Sequence, residues 1–435
     1  MFAAVLAPAL ARRGVHYAWA VVAATFLVML ATAAAMGMPG VLIRPLSHEF
    51  GWSTADISGA LAVRLVLYGA VAPFAAALLH RHGLRATVAV AMLLIVAGLT
   101  LATRMTALWQ LWACWGLLVG LGTGMTAMVL GATVATRWFT ARRGLVVGML
   151  TASSATGSLA FLPLAAWLAD HTGWRTALLP ATLACVAAGV LMLLFGRDHP
   201  GELGLPAFGE RAAVAPPQRS AGAARLALSA LGDAARTRSF WLLFFTFFVC
   251  GLSTNGLVGT HFIPLCQDFG MAEVAAASVL AMMGAFDFIG TIGSGWLSDR
   301  FDSRKLLFAY YGLRGLSLLA LPFSTFSVYG LSLFAVFYGL DWIATVPPTV
   351  RLAAQLYGRE RAPLVFGWVF AGHQLGAAVA ALGGGLSRDL LASYLPAFMV
   401  SGTFCLAAAL AALAVRTAPP AERRPAPADG TAVPA

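Results

Sequence analysis

Pro45-Leu46-Ser47-His48-Glu49-Phe50-Gly51 recurs 219 residues later as Pro264-Leu265-Cys266-Gln267-Asp268-Phe269-Gly270. The same ungapped offset pairs Arg81 and Arg85 with Arg300 and Arg304, and Gly120 with Gly339. It also pairs Leu145-Val146 with Leu364-Val365, Gly148 with Gly367, and Gly157 with Gly376. One register held over more than 110 residues marks two copies of one unit. Apolar runs of about twenty residues, enough to cross roughly 30 Å of hydrocarbon, begin near Tyr17, Ala55, Ala86, Ala107, Leu145 and Thr176. Six more begin near Phe240, Ala272, Leu306, Val328, Pro363 and Pro396. Each copy therefore predicts six spanning helices, and an even number gives both copies the same orientation.

Composition points to lipid as the solvent of these runs. Of 435 residues, 60% are hydrophobic and 10% charged, whereas a soluble chain keeps about a quarter charged. The formal net charge of +11 sits in short segments between apolar runs, so it reads as a topology signal and not as a nucleic-acid footprint. The single lysine, Lys305, follows Arg304 and not a glycine. No phosphate-binding loop exists, and no ATP use is expected. Cys114, Cys185, Cys250, Cys266 and Cys405 lack metal spacing and read as packing residues. No metal or cofactor is expected. Arg12 and Arg13 precede an apolar segment too long for a signal-peptide core, which is expected to stay as the first span.

With a cytoplasmic N-terminus, 21 of the 28 basic residues fall in inside segments. Four (Arg44, Arg104, Arg175 and Arg388) fall outside. This asymmetry predicts cytoplasmic termini in a bacterial inner membrane. The expected organisation is a six-helix unit over residues 1–195 and a cytoplasmic loop over 196–238. A second unit over 239–415 and a disordered Pro/Ala-rich tail over 416–435 follow. The class is an all-α membrane protein of twelve helices, expected to work as a monomer.

Gly293-Ser294-Gly295-Trp296-Leu297-Ser298-Asp299-Arg300-Phe301-Asp302-Ser303-Arg304-Lys305 resembles the signature loop of the major facilitator superfamily. Asp299, Arg300 and Arg304 would form a charge latch steadying one conformation. The first copy carries His80 where the second has Asp299. Gly116, Gly120 and Gly124 recur on one face of the fourth helix and predict close helix packing. His16-Tyr17-Ala18-Trp19, Trp138-Phe139, Arg142-Arg143-Gly144-Leu145 with Gly148, and Phe286-Asp287 are similar to the monocarboxylate transporter and bacterial oxalate/formate antiporter branch. The resemblance implies a solute site between two parallel halves near the midplane. It also implies an arginine four residues after Asp287, where this chain has Thr291.

Ionisable residues predicted at mid-membrane are Arg64, Asp287, Arg314, Asp341, Arg351 and His373. Each costs at least a few kcal/mol to place there, so each should face a cavity or a partner. Asp287 and Arg314 flank one turn at depths that differ by roughly 3 Å. They read either as a mutual charge pair or with Asp287 free for proton coupling. Asp341 belongs to the same set, and Arg351 either snorkels inward or serves the site. Arg64 has no acidic partner in the interior of its half, which makes it the expected anion anchor. Asn255, Tyr338, Trp342 and His373 are expected to line the cavity with it, and His261 and His373 could relay protons.

Three interior arginines against two aspartates favour an anionic solute. The expected function is secondary active transport of a small organic anion, a mono- or dicarboxylate, coupled to protons or to anion exchange. Proton-driven drug export is the alternative. A receptor or enzyme is remote, because no catalytic constellation is visible.

Overall fold

The computed structural model describes residues 2–126, 128–211 and 223–416. Among the described residues, twelve long helices follow one another. They are α1 Ala18–Phe50, α2 Thr54–Ala75, α3 Arg81–Ala102, α4 Leu108–Ala135, α5 Arg143–Thr172 and α6 Trp174–Phe195. The second set is α7 Arg238–Asp268, α8 Glu273–Ser298, α9 Ser303–Phe323, α10 Val328–Gly358, α11 Leu364–Leu391 and α12 Leu395–Leu413. Eleven are long and apolar enough to cross a membrane, judged on the described residues. The other, α5, has 30 residues, about 45 Å of helix at 1.5 Å per residue. Two shorter helices, Phe2–Arg12 and Ala223–Ala234, precede α1 and α7. Among the described residues there is one isolated β-bridge, Phe139 with Phe208.

The two ends of the first half meet on one face, and the last helix of the second half ends beside the start of α9. At the first half's ends Tyr17 Oη donates to the Phe195 carbonyl at 2.6 Å. In the second, Arg304 Nη1 at the start of α9 reaches the Val415 carbonyl at 3.5 Å. The halves bury separate apolar cores, one running from Ala3 to Met192. The other runs from Ala230 to Val415 and takes in Val41, Leu162 and Ala166 from the first half. Leu65 packs with Ala377, Ala378 and Ala381 where α2 meets α11.

The repeated loop shows how two copies solve one problem differently. A helix start leaves N–H groups unpaired. In the second copy Asp302 accepts from Arg304 N at 2.9 Å. The Arg304 side chain, at 2.7 Å, holds that carboxyl below its usual range through hydrogen bonding. The residue 219 positions earlier is Gly83, at φ +85°. There the carboxylate comes from the connecting segment: Asp198 Oδ1 accepts from Leu84 N at 2.6 Å and Arg85 N at 3.3 Å. A side chain at 83 would collide with Asp198 as well as strain the backbone.

At the face opposite the chain ends, the two halves interlock. Arg44 Nη2 meets Asp268 Oδ1 at 2.5 Å, and Arg388 Nε meets Asp268 Oδ2 at 2.9 Å. Asp389 on α11 accepts from Thr54 N at 3.2 Å and Ala55 N at 2.7 Å, capping α2 of the other half. Gly385 sits against Ser58, and Gly40 against the Thr260 carbonyl. This end of the bundle is closed.

Among the described residues, Arg300 and Arg304, two of the three expected latch residues, form no ion pair with the first half. Arg300 lies over the Trp296 ring at 4.0 Å, and Arg304 binds Asp302 and Val415. Both sets of contacts stay inside the second half, because short loops hold these side chains beside their own helix ends. The Asp299 side chain lies outside the described residues.

Candidate functional site

Between the halves lies a cavity of 230 Å³ lined by α1, α2, α4, α5, α7, α8, α10 and α11. Arg64, Asp287, Asn255, Trp342 and His373 line it together. Tyr68, Gln374, Phe247, Phe370 and Cys250 belong to the same wall.

Irregular backbone surrounds this cavity. In a membrane interior every freed N–H and C=O must find a protein partner. Helix α7 widens into a π-helical stretch at Leu252–Val258 that carries Thr254 and Asn255, the kind of bulge common at functional sites. Gly251 and Gly256 let α11 approach there, since side chains would strike the His373 and Ala377 carbonyls. Helix α10 breaks between Asp341 and Val346. Pro347 and Pro348 follow the break, and they lack the N–H groups that would bond the carbonyls of Ile343 and Ala344.

Three polar side chains repair the break in α10. Asp287 Oδ1 accepts from Ile343 N at 2.9 Å. Ser294 Oγ donates to the Ala344 carbonyl at 2.5 Å. Arg314 donates to the carbonyls of Asp341 and Trp342, and its Nε meets Asp341 Oδ2 at 2.6 Å. Its Nη1 also reaches Cys250 Sγ at 3.1 Å. The expected direct pairing of Asp287 with Arg314 is therefore replaced by Arg314 with Asp341. The two expected partners approach the broken turn separately, Asp287 through an N–H and Arg314 through carbonyls. Thr291 Oγ1 donates to Asp287 Oδ1 at 3.0 Å, so the threonine supports the carboxylate.

Arg64 has different surroundings. It is 3% exposed, and its Nη1 donates to the Met36 carbonyl at 3.1 Å. That carbonyl lies just before the interruption of α1 at Met38, ahead of Pro39. Its Nε is buried without a partner. No carboxylate among the described residues forms an ion pair with it.

Tyr338 does not join the cavity wall. Its hydroxyl donates to the Ser253 carbonyl at 2.7 Å, a group in the π-helical stretch, and its ring packs on Phe334 and Trp342. Asp341 stands beside Arg314 and is likewise absent from the described lining, as is Arg351. His261 is fully buried, with Nε2 at 2.7 Å from the Ala381 carbonyl, and it fastens α7 to α11.

Tyr68, Gln374, Phe247 and Phe370 were not legible as site residues. Tyr68 lies one turn beyond Arg64 and could have been found from that spacing. Gln374 follows His373, and its side-chain oxygen is buried without a partner. The two phenylalanines carry no signal that separates them from the many phenylalanines facing lipid or core.

A buried site between two six-helix units, lined from both, is the arrangement of a solute carrier. The chain belongs to the Major Facilitator Superfamily, whose model matches residues 24–381. It is an integral, multi-pass membrane transporter that binds a small-molecule solute, and not an enzyme. It is 28% identical over 397 residues to monocarboxylate transporter 13 of Rattus norvegicus, covering 90% of this chain and 87% of that one. It is 26% identical to the uncharacterized MFS-type transporter YcxA of Bacillus subtilis (strain 168), covering 81% and 83%. Among solved structures, a D-xylose-proton symporter aligns at a TM-score of 0.69 and 15% identity, covering 91% of this chain and 97% of the other.

Proposed function

We propose that the protein is a secondary active transporter of a small organic anion, held by Arg64 and moved by alternating access with proton coupling through Asp287. The observation that carries this reading is the pair of cavity-lining charges on opposite halves, one guanidinium without a carboxylate partner and one carboxylate. Together they are neutral. An added anion would leave the buried cavity at a net −1 unless Asp287 also took up a proton, and uncompensated charge in low dielectric is costly. Anion and proton therefore load together.

This revises the charge count drawn from composition. Arg314 is neutralised by Asp341 away from the cavity, so it contributes no surplus positive charge. Similarity to a monocarboxylate transporter agrees with a carboxylate as the anion. We place the protein in a bacterial inner membrane with both termini cytoplasmic, working as a monomer. A cysteine at Ala207 labelled from outside intact cells would overturn that orientation.

The functional test is uptake of a carboxylate panel into proteoliposomes with and without an imposed pH gradient. The reading expects accumulation only with the gradient, and expects it to be lost in Arg64→Ala. Accumulation driven by counter-anion alone would assign exchange in place of proton coupling.

A further inference from the structure

The cavity wall around Arg64 is aromatic to an extent that simple anion binding does not require. His373 lies parallel to Phe370, with centroids 5.7 Å apart and planes 9° apart. Phe247 closes on the same imidazole at 5.1 Å. Tyr68 meets Phe370 edge-on at 5.8 Å, and Trp342 lines the wall from the broken turn of α10. These five rings come from four helices, α2, α7, α10 and α11, and both halves contribute. Tyr68 stands one helical turn from Arg64, and both line the same cavity.

Charge limits the solute further. Among the described lining residues Arg64 is the single arginine, and no lysine lines the cavity. Asp287 faces the same space with both its N–H and hydroxyl partners in place. A second carboxylate on the solute would be buried beside aromatic carbon and an acidic side chain, with no second arginine and no lysine among the described lining residues to receive it. The volume of 230 Å³ leaves room for one ring and a short acidic arm.

Resting on the Arg64 reading, we propose that the solute is a monocarboxylate with an aromatic body, its carboxylate on Arg64 and its ring stacked among Tyr68, Phe247, Phe370 and His373. Aromatic pairing adds a preference beyond apolar burial that corresponds to about tenfold in affinity.

The experiment measures affinity by quenching of tryptophan fluorescence in purified protein in nanodiscs, with thermal stabilisation as a second readout. Benzoate and phenylacetate are compared with hexanoate, acetate and succinate, on wild type, Arg64→Ala, Phe370→Leu and Phe247→Leu. The expected result is binding of the two aryl acids about tenfold tighter than hexanoate, with acetate and succinate weaker still. Either leucine variant should erase the difference between phenylacetate and hexanoate while both acids still bind. Using two leucine variants keeps the test usable if one misfolds. Hexanoate or succinate binding as tightly as phenylacetate, still lost in Arg64→Ala, would overturn the aromatic assignment and leave the anion reading standing. Binding of no acid, or binding unchanged in Arg64→Ala, would overturn both.

Discussion

Arg64 and Arg314 are each buried near the middle of a membrane helix, one per half, at 3% and 1% exposure. Burial does not separate them; their partners do. Arg314 spends its donors on Asp341, on two carbonyls freed by the break in α10, and on Cys250. Arg64 has one carbonyl partner and an unpartnered Nε, and it faces the cavity. An arginine with a full set of protein partners is part of the scaffold. An arginine with donors to spare in a cavity is poised for an anion, and its planar fork suits a carboxylate.

The sharpest way to break this comparison is to remove Arg314. Arg314→Ala would strand Asp341 in low dielectric and free two carbonyls, costing about 3–5 kcal/mol. Folded protein recovered from membranes should fall severely, as read by size-exclusion profiles and melting. Arg314→Leu combined with Asp341→Leu should recover part of that loss, whereas Arg314→Leu with Asp287→Leu should not. A recovery specific to the Asp287 combination would restore the pairing that depth alone suggested.

Asp287→Asn sharpens the functional side. The amide oxygen can still accept from Ile343 N and Thr291, so the fold should hold within about 1 kcal/mol. Proton-driven accumulation should disappear while counterflow exchange of the solute persists. Loss of both would make Asp287 a scaffold residue like Arg314.

The smallest expected effect is at the closed face. Asp389→Ala removes the cap on α2 contributed by the other half, worth about 1 kcal/mol. It should raise the labelling rate of a cysteine placed at Ser58 without altering the melting of either half's core. Unchanged labelling would show that Asp389 does not hold that face shut.

The sequence made the architecture legible because a repeat at one offset marks two copies of one unit, and an even number of apolar runs in each implies that the copies run parallel. It also placed Arg64, Asn255, Asp287, Trp342 and His373 in the membrane interior, and the fold brings all five to one cavity. Depth alone could not assign partners. It measures position along the membrane normal, while Asp287 and Asp341 lie on different helices around Arg314. The clue that distinguishes them, Pro347-Pro348 breaking α10, was present in the chain, but its meaning depends on which side chains reach the freed carbonyls. Tyr338 failed as a cavity residue for the same reason: its hydroxyl serves a carbonyl of the widened turn in α7. Asp198 escaped notice because its capping role at Gly83 is formed by residues more than a hundred positions apart.

The most direct test of the account compares Arg64→Ala and Arg314→Ala in one assay, melting in nanodiscs with and without phenylacetate. The account predicts that Arg64→Ala melts within a few degrees of wild type and binds phenylacetate about 100-fold more weakly, the effect of truncating one partner of a buried charged contact. Arg64→Lys should fall between the two, and Arg314→Ala should melt far lower. An Arg64→Ala protein that unfolds like Arg314→Ala, or that binds the acid as wild type does, would contradict it.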